Sequence, residues 1–348
     1  MPESSTVKTS SQSQGKDTIE DITSVSTVPV SLSRIIKSVL FFTVAGVMLY
    51  GIASLASGFH VTWKALTSFP ISSLTLVITL VIIGWLLRGW RFHYYMAKTG
   101  HHVPFGYSEA VFLASFSLTG TPGKMGEAAK GVLLKEDYGI PVTRTVGILV
   151  VERLVDLWAV LVLGSLSFLL FSHWRTPFIA LALIVVVGGI LLCMERIYRP
   201  VLEWLKKISC LSWISERVLG ILLAGKELMT PRIFVVGLGA SIVAWGLEAV
   251  SMYVILKGFD LHASLLEANF VYCFSTLLGA LSMLPGGIGG TEVGMIGLLA
   301  FLGIKYENAL PAVILIRLCT LWLAILVGAL FMLTMLARPR KREFINEK

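Results

Sequence analysis

The sequence predicts an all-α polytopic membrane protein: about six full transmembrane helices plus two broken, re-entrant helical hairpins in an inverted repeat. Three observations predict it. First, of 348 residues 55% are hydrophobic and 14% charged, and apolar runs of about 20 residues, enough for a helix to cross a bilayer, recur along the chain. Second, two of the apolar stretches are interrupted by Pro-Gly motifs. Third, the chain aligns with itself. A soluble globule is excluded by this composition. Because lipid offers no hydrogen bonds, backbone groups in a broken stretch at membrane depth must be packed in protein or line a wet cavity.

Residues 1–33 are rich in Ser and Thr, lack apolar periodicity and read as a disordered cytoplasmic tail. Hydropathy places crossings near 36–57, 71–94, 145–171, 177–194, 232–256 and 310–336, with shorter broken segments near 108–135 and 266–303. The membrane domain so defined covers 34–337, with repeat 1 about 71–171, a connector about 195–230 and repeat 2 about 231–336. Residues 338–348 form a basic cytoplasmic tail. With the N-terminus inside, Arg88, Arg91, Lys98, Lys130, Lys135, Arg144, the basic connector and Arg338 to Arg342 all fall on the cytoplasmic side. Only Lys64, Arg175, Lys257 and Lys305 fall outside. The positive-inside rule is met with both termini cytoplasmic, which predicts the inner (cytoplasmic) membrane of a bacterial-type cell. The connector alternates apolar and basic residues, as helices lying on an anionic leaflet or packed on the bundle do.

The self-alignment is the strongest feature. LVVERLVDLW (149–158) pairs with VILIRLCTLW (313–322), setting Arg153 against Arg317. Upstream, FSLTGTPGKMGE (116–127) pairs with LSMLPGGIGGTE (281–292), setting Pro122-Gly123 against Pro285-Gly286 and Glu127 against Glu292, and Trp85 matches Trp245. One unit is used twice. Two full crossings separate the Trp85 and Trp245 helices besides the first hairpin, so the halves run oppositely. Gly/Pro-interrupted segments at corresponding positions of inverted repeats point to a midplane binding site.

Candidate substrate-binding residues follow from this chemistry. In TPGKMGE and PGGIGGTE, Pro122, Gly123, Gly126, Pro285, Gly286, Gly287 and Gly289 break the helix and expose backbone groups. A helix restarting after a break turns its positive end toward it and suits an anion. Lys124 adds a charge where the second motif has Gly287. Arg153 and Arg317 lie within apolar crossings, where a charge is costly; they either bind a lipid phosphate or brace the carbonyl ends of the hairpins. Glu127 and Glu292 stand where a carboxylate caps a new helix. Glu127, Glu152, Asp156 and Glu248 are the carboxylates available for proton coupling, Arg153 and Asp156 are spaced to pair on one helix face, and Arg88 and Glu248 occupy comparable repeat positions with opposite charge, as for a tie across the pseudo-twofold axis. His101 and His102 read as solvent-facing, the four cysteines as fillers, and Trp63, Trp174, Tyr198 and Trp204 as interface anchors. No metal site and no cofactor are expected.

With these residues in hand, the chain resembles the transmembrane, flippase-like domain of the lysylphosphatidylglycerol synthetase family over roughly 35–340. The matching features are TPGKMGEAAKGVLL, the ERLVDL helix, LPGGIGGTEVG and the Arg-containing helix that follows. In fused relatives the resemblance implies movement of an aminoacylated phospholipid from inner to outer leaflet after a soluble transferase has made it. That transferase is not expected here, and neither is the synthesis. The function expected is translocation of an anionic or modified lipid or lipid-linked envelope precursor between leaflets. Partners would be anionic phospholipid, polyprenyl-phosphate-linked or hopanoid-type lipids, with a lipid-synthesis enzyme as a further partner and no nucleic acid. An integral membrane transferase and a non-transporting scaffold are the alternatives. Against catalysis, the sequence holds no Asp-x-Asp motif, no His-Glu metal helix and no nucleophile with a neighbouring base.

Overall fold

The computed structural model describes residues 59–119, 127, 129–167, scattered positions between 176 and 204, 212–282 and 284–338. Every regular element among them is helical. The first half supplies α1 (Phe59–Thr67), α2 (Ile71–Lys98), α3 (Phe105–Ser115, prolonged by a 3-10 turn Phe116–Leu118), α4 (Ala129–Tyr138) and α5 (Val142–Leu166). The second supplies α6 (Ser212–Lys226), α7 (Pro231–Gly258), α8 (Leu265–Leu281), α9 (Gly290–Phe301), α10 (Tyr306–Arg317) and α11 (Leu323–Ala337), with a π turn, Leu318–Trp322, joining the last two. The expected tails, the crossing near 36–57, most of the crossing near 177–194 and the first Pro-Gly break lie outside the described residues.

Local chemistry sets the helix starts. Pro70, Pro104 and Pro141 immediately precede α2, α3 and α5, and Pro231 opens α7; proline's fixed φ suits a first turn whose amides need no intrahelical acceptor. A capping box opens α8: the Glu267 amide donates to Ser264 Oγ at 3.2 Å, and the Ser264 amide donates to Glu267 Oε2 at 2.6 Å.

Three helical stretches are long and apolar enough to cross a membrane: α2, α7 and the run Tyr306–Ala337 that contains α10 and α11. With 25 residues α5 also has the length, yet it carries Glu152, Arg153 and Asp156 in its middle. The hairpin legs are different. α3, α4 and α9 hold 11, 10 and 12 residues, or about 15–18 Å at 1.5 Å per residue, and α8 holds 17, or about 26 Å, against a hydrocarbon core of about 30 Å.

Much of the packing is paired, the broad contact of α5 with α7 being an exception whose counterpart between α2 and the π turn is slight. α2 packs on α3 as α7 packs on α8, and α3 meets α4 as α8 meets α9. α4 leans on α5 as α9 leans on α10, α1 sits on α10 as α6 sits on α5, and α3 lies along α11 as α8 lies along α5. At the centre α2 and α7, each 28 residues long, run antiparallel: Gly84 faces Ala244, while Gly258 abuts Phe69 at one end and Gly237 abuts Tyr95 at the other. Lipid tails are as apolar as leucine, so close backbone approach at small residues, rather than burial of apolar area, holds such helices together. Gly84 shows the closeness, since a methyl there would stand 3.3 Å from the Ala244 carbonyl oxygen.

Gly328 on α11 seats the first hairpin. A methyl at that position would meet the Ser117 amide nitrogen and stand 2.7 Å from the Phe116 carbonyl carbon, and backbone cannot swing aside as a side chain can. Gly328→Ala is therefore expected to lower stability by about 1–3 kcal/mol, the range for overpacking. Gly297→Ala, where a methyl meets nothing within 4 Å, should leave it unchanged. Thermal unfolding of the detergent-purified variants measures both.

Candidate functional site

Between the two halves lies a cavity of about 410 Å³. Its wall draws on α2, α3, α5, α7, α8, the second break, α9, α10, the π turn and α11, so both hairpins contribute. Of the residues singled out from sequence, Arg88, Glu127, Arg153, Asp156, Glu248, Gly286, Gly287 and Arg317 line it. Glu292 stands one ion pair behind the wall, through Arg317, and Glu152 two, through Arg91 and Asp156, while Gly289 closes the turn beside Glu292. Pro285 contributes backbone to a 3-10 turn with Gly286 and Gly287. Pro122, Gly123, Lys124 and Gly126 lie outside the described residues.

The second break shows why its residues are glycines. Gly286, Gly287 and Gly289 have φ of 62°, 67° and 90°, left-handed conformations that a Cβ disfavours. The turn is then fastened from two sides. Glu292 Oε2 accepts the Gly289 amide at 2.8 Å, as a capping carboxylate does, while its Oε1 accepts from Arg317 Nε at 2.7 Å. Arg317 Nη2 donates to the Gly286 carbonyl at 2.8 Å. Arg317 thus braces a hairpin carbonyl and faces the cavity at once.

The first half holds a closed ring of six alternating charges. Arg153 Nη2 lies 3.3 Å from Asp156 Oδ2, and Asp156 Oδ1 lies 2.6 Å from Arg91 Nη1. Arg91 Nη2 is 3.6 Å from Glu152 Oε1, and Glu152 Oε2 is 3.1 Å from Lys130 Nζ. Lys130 Nζ stands 3.9 Å from Glu127 Oε2, which is 3.3 Å from Arg153 Nη2 and completes the ring. Ser241 of α7 also bonds Arg91 and Asp156, and Lys130 lies over the rings of Phe92 and Phe112. Neutralisation inside the ring is what makes these charges tolerable at membrane depth. Arg153 is its open member, with 31% of its side-chain surface exposed against none for Arg91 and Lys130.

Arg91 and Lys130 correct the sequence reading, which set both among the cytoplasmic positive charges. They are fully buried, because each has carboxylate partners that only the fold brings together. The spacing carried a signal: Arg91 follows Arg88 by three residues and Lys130 follows Glu127 by three, which puts each on the site-facing side of its helix. In the second half Ser251, Met295, Ile316 and Thr320 stand at the positions of Arg91, Lys130, Glu152 and Asp156, so the ring has no counterpart there.

Across the centre, Arg88 Nη2 pairs with Glu248 Oε1 at 2.7 Å, joining α2 to α7. The guanidinium also lies 4.3 Å from the centroid of the Trp245 ring, a cation–π contact strengthened where water is scarce. Tyr272, which sequence reasoning missed, donates its hydroxyl to Glu248 Oε2. Around the cavity, then, five cations (Arg88, Arg91, Lys130, Arg153, Arg317) meet five carboxylates (Glu127, Glu152, Asp156, Glu248, Glu292) among the described residues.

Comparison with known proteins places this arrangement. A family profile described as the lysylphosphatidylglycerol synthase TM region matches residues 34–328, which include the described cavity wall. A UPF0104 membrane protein of Methanocaldococcus jannaschii is 29% identical over 238 residues, 65% of this chain and 97% of the relative. One from Pyrococcus horikoshii is 26% identical over 318 residues, 83% of this chain and 95% of the relative. One from Methanothermobacter thermautotrophicus is 24% identical over 323 residues, 83% and 91% respectively. Matched along most of its length, with the cavity's helices inside the match, this membrane-embedded chain belongs to the family of the lysylphosphatidylglycerol synthase TM region.

Proposed function

We propose that the chain moves the polar headgroup of a lipid or lipid-linked envelope precursor between leaflets of the cytoplasmic membrane, while the acyl chains stay in the bilayer. The observation that carries this reading is the cavity itself: a chamber of about 410 Å³, walled by both hairpins, in which arginines and carboxylates stand among mostly apolar side chains. An anionic phospholipid, a polyprenyl-phosphate-linked lipid or a hopanoid-type lipid presents groups that such a wall accommodates, and an enzyme that makes the lipid is a fitting partner.

The paired packing supports an inverted repeat. Most helix contacts of the first half have a mate in the second, and α2 and α7 run antiparallel across the centre. Three legs of about 15–18 Å and a fourth, α8, of about 26 Å, all short of the hydrocarbon core of about 30 Å, suit hairpins that enter and leave on the same side, the first from the cytoplasm and the second from outside if both termini are cytoplasmic. Exchanging the conformations of two such halves exposes one fixed site to either leaflet. In this reading Arg153 receives the phosphate first. Its two carboxylate contacts are 3.3 Å long, whereas Arg317 is held at 2.7 and 2.8 Å by Glu292 and Gly286. The ring meanwhile ties the far leg of the first hairpin, through Glu127 and Lys130, to α2 and α5.

Reconstitution tests the reading. Vesicles holding the purified protein and either labelled anionic phospholipid or labelled polyprenyl phosphate should show leaflet exchange of at least one of them. Arg153→Ala/Arg317→Ala should slow it by about tenfold or more, since a charge-assisted hydrogen bond contributes roughly 1.5–3 kcal/mol. A wild-type protein that exchanges neither lipid would overturn the proposal.

The ring makes a separate prediction about stability. Lys130→Met leaves Glu152 and Glu127 short of a buried cation and is expected to cost about 3–5 kcal/mol. Combining it with Glu152→Ile, so that both positions copy Met295 and Ile316, should cost clearly less than the two single changes together. A double-mutant cycle on unfolding midpoints reads the difference; strict additivity would mean the two side chains are not coupled.

A further inference from the structure

One buried carboxylate takes no part in the cavity or in the ring. Glu109 lies on α3, the leading leg of the first hairpin, with 7% of its surface exposed, and neither carboxyl oxygen has a hydrogen-bond partner. It fills a notch in α2. Gly89 leaves the room, because a methyl at that position would overlap Glu109 Oε2.

The surroundings offer an ionised Glu109 nothing. From α2, Arg88 is bound to Glu248, Arg91 is bound within the ring, and His93 Nδ1 sits 2.9 Å from Ser108 Oγ. From α4, Lys130 is committed to Glu152 and Glu127, and Asp137 accepts from Tyr107. The third packed neighbour, α11, carries no titratable residue. An isolated carboxylate withdrawn from water neutralises itself by keeping its proton. At the corresponding sequence position the second half carries a permanently neutral side chain. Asn269 stands fifth in α8 as Glu109 stands fifth in α3, but it turns to the end of α5 and not to a notch in α7: its amide donates to the Leu163 carbonyl at 2.7 Å and to Ser167 Oγ at 3.1 Å.

We propose that Glu109 is a proton-binding site, which holds its proton in the notch at Gly89 and releases it to water when the first hairpin moves off α2. Protonation then favours the packed hairpin and deprotonation the displaced one, so the hairpin's position answers to pH. The site itself is independent of the cargo; its link to transport rests on the lipid-moving reading above.

Dicyclohexylcarbodiimide, an apolar reagent that reacts with protonated carboxyls buried in membranes, tests the site directly. The full chain in lipid nanodiscs would be treated across a pH series and the adducts mapped by mass spectrometry. Glu109 should be modified at mildly acidic pH, with a yield that falls several-fold as the pH is raised, while ion-paired Glu152 stays unmodified and Glu109→Gln shows no adduct in that peptide. Absence of an adduct on Glu109 at every pH, or equal modification of Glu152, would overturn the site. For the link to transport, exchange in vesicles should vary several-fold with pH in the wild type and be flat in Glu109→Gln; equal pH dependence in the two would overturn it. A wild type that moves no lipid would sink the lipid-moving reading alone, because the labelling result stands without it.

Discussion

A charge within a bilayer has to be neutralised by what surrounds it, and the central part of this molecule is organised by that requirement. Each of the five cations around the cavity has a carboxylate within reach, and the partners come from different helices: α2 with α5, α2 with α7, the end of the first hairpin with α5, α9 with α10. Ion pairing is therefore also what fixes helix positions. In a medium where apolar contact discriminates little between one helix and another, these pairs select a particular arrangement at a particular depth.

The same requirement distinguishes the two halves. Most of their packing is mirrored, down to the hairpin leg that each half lays against the last helix of the other. The chemistry is not. The first half carries the closed ring, with Arg153 partly open to the cavity, while in the second Arg317 binds the Glu292 carboxylate and the Gly286 carbonyl. An anion in the cavity meets a divided welcome: on one wall a guanidinium shared between two carboxylates, on the other a guanidinium already employed in holding a turn.

Much of this was legible in the sequence, and what was not has a physical cause. The second break, its three left-handed glycines and the pairing of Arg88 with Glu248 sit where the motifs and the self-alignment put them. Arg91 and Lys130 were misplaced because a charge count along a loop registers sign and position but not direction. A lysine reaching toward water and one turned inward contribute equally to the positive-inside rule. Tyr272 was missed for a related reason, since an aromatic residue in an apolar helix looks like core until a carboxylate is found opposite its hydroxyl. The self-alignment contained a partial hint: Lys130 stands against Met295 and Glu152 against Ile316, and both odd residues belong to the ring.

The π turn that follows Arg317 distinguishes the halves mechanically. In the first half the helix bearing Arg153 is continuous from Val142 to Leu166; in the second, the corresponding helix contains Pro311 and loosens into a wider coil at Leu318–Trp322. Such a bulge carries one residue more than the surrounding winding requires, and it can travel or be absorbed without unfolding its neighbours. The helix behind the ring is uninterrupted, whereas its partner takes up one extra residue directly after the arginine that holds the second turn. Any sliding along these two helices therefore meets an unbroken winding at Arg153 and an already rewound one at Arg317.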